Sequence, residues 1–114
     1  MATRSIVYDP DKPRLRKRQL TKGDVMTFSV DANMWATRDS TTLSSAVWSV
    51  VENDTVSIGA DSESSNVSTA AVTGSDGGVS LVKVTLTMAD GQVGVVYIEF
   101  HVIDREWGRY SDYE

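Results

Sequence analysis

His101 is the only histidine in the sequence, and it follows Tyr97 by four residues and Glu99 by two. A histidine near a carboxylate and a hydroxyl is the raw material of acid–base and nucleophilic catalysis. That chemistry needs the imidazole held between a nucleophile and an orienting acid, and a serine nucleophile is often presented on a Gly-x-Ser-x-Gly turn. No such motif occurs. His101 is therefore read as a surface or interface residue, and no catalytic residue is assigned. With no cysteine in the chain, disulfides, thiolate nucleophiles and zinc–thiolate sites drop out together.

Asp54, Asp61, Glu63 and Asp76 offer oxygen ligands of the kind calcium takes, but not at the Asp-x-Asp-x-Asp-Gly spacing of a calcium loop. They are read as solvated loop carboxylates. Paired carboxylates for glycoside hydrolysis would need a cleft, which a sandwich of this size rarely provides. Gly77-Gly78 and Asp90-Gly91 are turn glycines, with no Gly-x-x-x-x-Gly-Lys cradle for phosphate. Neither a metal nor a cofactor is expected.

Charge is the strongest chemical signal. Residues 1–22 carry seven basic and two acidic side chains, a balance of +5, and residues 23–114 carry four basic and fourteen acidic, a balance of −10. Lys12, Arg14, Arg16, Lys17 and Arg18 concentrate the positive charge. A nucleic-acid arm would interleave stacking aromatics and avoid an acidic body, so nucleic acid is not the expected partner. Opposite charge steers docking instead, here of a basic arm onto an acidic neighbour, including another copy of this chain. Residues 105–114 hold Trp107, Tyr110 and Tyr113, which are candidate interface anchors because large aromatics carry much of the energy of protein contacts.

The elements that position these residues are strands. In 79–88, Val82, Val84, Leu86 and Met88 share one parity; in 93–104, Val96, Ile98, Phe100 and Val102 share one, with Tyr97, Glu99 and His101 on the other. Side chains alternate faces along a strand, so this is a ribbon with one apolar face. Asp90-Gly91 supplies the positive φ of its connection. Further strands are expected at 25–31 (Met26, Phe28 and Val30 inward), 45–51 (Ala46, Trp48 and Val50 inward), 55–59 (Val56 and Ile58) and 67–73 (Ala70 and Val72). Residues 32–43 read as irregular, with Met34 and Trp35 tucked against the core, and 60–66 as a Ser- and acid-rich loop. Pro10 and Pro13 hold 1–24 extended as an arm, in which 5–8 is a candidate strand for a neighbour's sheet edge. The expected fold is an all-β, immunoglobulin-like sandwich of about six to seven strands over 25–104, with the basic arm before it and the aromatic tail 105–114 after it.

No run of 18 apolar residues is present, so no membrane span is expected. The first residues lack the apolar core of a secretory signal. Asn53-Asp-Thr55 and Asn66-Val-Ser68 match the glycosylation pattern as chance would allow in a chain rich in Ser and Thr.

Asp24-Val-Met-Thr-Phe-Ser-Val-Asp-Ala-Asn-Met-Trp35 is followed by Thr41-Thr-Leu-Ser-Ser-Ala-Val-Trp-Ser-Val50, then Ala70-Ala-Val-Thr-Gly74, Gly77-Gly78 and Val84-Thr-Leu-Thr-Met-Ala-Asp-Gly-Gln92. That order, over 24–104, resembles small structural proteins of tailed bacteriophages with bacterial immunoglobulin-like folds, of the fiber–tail adaptor type. The resemblance implies a non-enzymatic virion protein, made in the bacterial host cytoplasm, that joins fibers or neighbouring proteins at the tail or head–tail junction. Homo-oligomeric assembly is expected there. A capsid decoration protein is the second reading. A carbohydrate-binding module stacking sugars on Trp35 or Trp107 is a third, from a different class.

Overall fold

The period-2 alternation is realised in strands that pair into two sheets. The computed structural model describes residues 4–12 and 14–104. In chain order its elements are β1 (Arg4–Val7), β2 (Arg16–Thr21), β3 (Val25–Asp31), α1 (Asn33–Asp39), β4 (Leu43–Glu52), β5 (Val56–Ser64), β6 (Val67–Gly74), β7 (Gly78–Met88) and β8 (Val93–Ile103). One sheet runs β1-β3-β6-β5 and the other β2-β8-β7-β4. Their inner faces meet in one core. Phe28 of β3 and Phe100 of β8 pack edge to face across it with ring centroids 5.0 Å apart. This is an immunoglobulin-like β-sandwich, with eight strands among the described residues.

The inward parities hold. Val82, Val84, Leu86 and Met88 of β7 are buried, as are Val96, Ile98, Phe100 and Val102 of β8 and Phe28 and Val30 of β3. The turn between β7 and β8 differs from the two-residue form. Gly91 N–H donates to the Met88 carbonyl at 3.0 Å, and of Asp90 and Gly91 only the glycine has positive φ, at +94°. That is a type I turn closed by a left-handed glycine, the usual longer hairpin connection.

The basic arm is the main correction. Residues expected to reach out as an extended arm over 1–24 instead supply an edge strand to each sheet. β1 pairs parallel with β3, and β2 pairs parallel with β8. The physical reason is apolar burial at single positions: Ile6 is 1% and Leu20 2% exposed, and Tyr8, just past β1, is buried as well. One buried side chain per short strand suffices at an edge, where the flanking charges stay wet.

Two local expectations also change. Residues 60–66 are not all loop, because β5 continues to Ser64 past an irregularity between Ile58 and Asp61. Residues 32–43 include α1, which buries Trp35 and Ala36 but leaves Met34 52% exposed. A helix turns consecutive side chains about 100° apart, so neighbours Met34 and Trp35 cannot share one face. Trp35 packs on Tyr8 at 5.4 Å. Both press on β8 at Gly94, where an added Cβ would meet the Tyr8 hydroxyl at 2.7 Å.

Candidate interaction surfaces

Three surfaces collect the chemistry-bearing residues. The first is the edge formed by β1 and β2. Register pairs Arg16 with Ile98, Arg18 with Phe100 and Leu20 with Val102, whereas Lys17 pairs with Glu99 and Gln19 with His101. Arg16 and Arg18 therefore sit on the core side of an edge strand, and Lys17 on its outer side. Arg16 bends around the rim and its guanidinium donates to the Val7 carbonyl at 2.9 Å, tying β2 to β1. Arg18 donates to the Lys17 carbonyl at 2.7 Å. Lys12 and Arg14 lie in the β1–β2 connection, exposed. Among the described residues no ion pair engages Lys12, Arg14, Arg16, Lys17 or Arg18. Arg16, Lys17 and Arg18 thus lie on one edge strand, with Lys12 and Arg14 in the connection that leads into it. Trp107, Tyr110 and Tyr113 lie outside the described residues.

The second surface is the opposite rim, formed by β4 and β5. Asp61 pairs with Ala70 and Glu63 with Ser68, so both acids take the core-side parity of their edge strand. Trp48 of β4 donates its indole N–H to the Ser68 hydroxyl at 2.9 Å, and that hydroxyl donates to Glu63 at 3.1 Å. The neighbouring Asp61, with some help from desolvation, pushes the Glu63 carboxyl above its ordinary value. Among the described residues no cluster of acids is arranged to hold a metal.

The third surface is the outer face of the β2-β8-β7-β4 sheet. Register puts Val47 beside Thr85, Tyr97 beside Lys83, Val93 beside Thr87 and Val79 beside His101. Val47 and Val93 are each 60% exposed, and Tyr97 and Val79 each 41%. A shallow concavity of about 770 Å³ runs across this face, with Leu15, Val51, Leu81, Val95 and Tyr97 as its apolar floor and Arg14, Lys83, Glu52 and Glu99 around it. His101 lies on the same face, bonded to Glu99 at 2.7 Å, in a second, smaller concavity with Lys17, Arg18, Gln19 and Ile103. The outward parity of His101, Glu99 and Tyr97 was legible; the apolar character of the face was not assigned. Its signal is in the sequence, since Val93, Val95, Val79 and Leu81 occupy the parity opposite to the core.

Away from these surfaces, Arg38 binds Asp11 at 2.5 Å and Asp39 at 2.9 Å, clamping the β1–β2 connection onto α1. The Arg38 guanidinium holds the Asp39 carboxyl below its usual range, and burial pushes the Tyr8 phenol up.

No protein-family model matches the sequence, and no curated protein matches it. Solved structures do resemble the fold. A PKD domain from the KIAA 1837 protein superposes at a TM-score of 0.55 with 22% identity, over 78% of this chain and 81% of that one. The cysteine protease inhibitor EhICP2 of Entamoeba histolytica gives 0.51 with 8% identity, over 88% and 94%. PbICP-C, in complex with falcipain-2, gives 0.54 with 7% identity, over 87% and 98%. At these identities the likeness is one of fold.

Proposed function

We propose that this chain is a non-enzymatic structural protein of a tailed-phage virion, an immunoglobulin-like adaptor at the tail or head–tail junction that joins fibers or neighbouring virion proteins. The observation that carries the reading is the open outer face of the β2-β8-β7-β4 sheet. Its exposed Val47, Val93, Val79 and Tyr97 form an apolar field, with charges of both signs around the adjoining concavity. Exposed apolar patches with polar rims mark docking sites for other proteins. The residue pattern over 24–104 supplies the virion setting. A decoration role on a capsid would use the same face. A sugar platform on Trp35 is disfavoured, because that ring is 2% exposed.

Purified particles from the source culture should contain the chain in fixed ratio to the tail proteins, read by quantitative mass spectrometry. Particles that lack it overturn the proposal. A Val47→Asp, Tyr97→Asp variant should keep its circular dichroism and fail to enter particles. Normal incorporation of that variant would remove the sheet face from the argument.

A further inference from the structure

The charge asymmetry of the sequence becomes, in the fold, an asymmetry between two opposite edges. On the β1/β2 rim Arg16 and Arg18 carry the core-side parity; on the β4/β5 rim Asp61 and Glu63 do. The two pairs also stand at the same height along the sandwich. Arg18 pairs with Phe100, whose ring contacts Phe28, and Phe28 pairs through Ala70 with Asp61. One step along, Arg16 pairs with Ile98, while Glu63 pairs through Ser68 with Val30. Both pairs have the same i, i+2 spacing, about 6.6 Å on a strand.

We propose that a second copy of this chain docks edge to edge, with the Arg16/Arg18 rim of one molecule against the Asp61/Glu63 rim of the next. The four side chains have no ion-pair partner among the described residues, and a sideways shift of one molecule sets cation against anion at both heights. Inward-pointing charges on edge strands ordinarily keep sheets from adding to one another. Here each rim repels its own kind and accepts the other, so the same residues forbid a symmetric pairing and favour a head-to-tail one. Head-to-tail contacts close into a ring or run on as a filament, according to the rotation between copies. This uses the edges of the sandwich and not its outer face, so it stands or falls separately from the adaptor role.

The test uses the full chain. Sedimentation velocity should show association at ~0.01 M salt, where charges reach ~30 Å, and its loss at ~1 M, where they reach ~3 Å. Arg16→Glu with Arg18→Glu makes the core-side pair acidic at both rims, and Asp61→Lys with Glu63→Lys makes it basic at both. Each variant, its fold verified by circular dichroism, should be monomeric alone, and an equimolar mixture should associate again. Because the chain has no cysteine, Arg18→Cys combined with Asp61→Cys should give an oxidised ladder beyond dimer, and neither single substitution should. A wild-type monomer at both salts overturns the proposal, as does a variant that still self-associates, a mixture of folded variants that does not associate, or a double-cysteine chain that gives no ladder.

Discussion

At the scale of single residues, Ser68 is the polar joint of the core. It is fully buried, accepts from Trp48 and donates to Glu63. A buried indole N–H left without an acceptor costs about 1–3 kcal/mol. Ser68→Ala should therefore lower the unfolding free energy by that much, read as a lower urea midpoint at unchanged slope; no change in midpoint would mean the indole finds another partner. Glu63 makes a prediction of opposite sense. A carboxyl held above its unfolded value favours folding in acid, and that contribution is lost as pH rises through the raised value. Asp61 is the largest cause of the rise. Asp61→Asn should thus raise the melting temperature above the ordinary glutamate range and leave it nearly unchanged below. Asp39, held low by Arg38, works the other way, with stability present above the unfolded value and lost as pH falls. The difference between Asp61→Asn and wild type isolates Glu63. Equal curves at all pH values would refute the coupling.

At the scale of elements, β1 and β2 carry the lesson about legibility. The strands β7 and β8 were the most readable because each buries every second residue in a run of Val, Leu, Ile, Met and Phe, and β3 and β6 show the same parity in shorter form through Phe28, Val30, Ala70 and Val72. The segment Arg16-Lys-Arg-Gln-Leu-Thr21 buries only Leu20, and an edge strand needs no more. Its charges read as an extended arm because nothing local separates a rim from a tail. The order of the β5 end, Asp61 to Ser64, was hidden for the same reason, and α1 opens without a side-chain cap at Ala32 to announce it. The five basic residues stand out in the sequence as a group, but the opposition of Arg16 and Arg18 to Asp61 and Glu63 is a property of strand register and invisible in one dimension. Removing residues 1–22 therefore strips Ile6, Tyr8 and Leu20 from the core. Such losses of large apolar groups cost about 2–5 kcal/mol each, so the truncated chain should lose its cooperative thermal transition. A folded, cooperative 23–114 fragment would restore the arm as a dispensable attachment.

At the scale of the whole molecule, the parallel pairing of β2 with β8 joins an early strand to the last one, with Arg16 opposite Ile98 and Thr21 opposite Ile103. A pull applied at Arg16 on one strand and at Ile103 on the other draws these neighbours in opposite directions along their common axis. The hydrogen bonds of all six paired positions are then loaded together in shear, whereas a hairpin pulled from its open end breaks one rung at a time. A load applied across those two strand ends would therefore meet the whole β2/β8 ladder at once, and with it the core side chains Leu20 and Phe100 that the two strands carry.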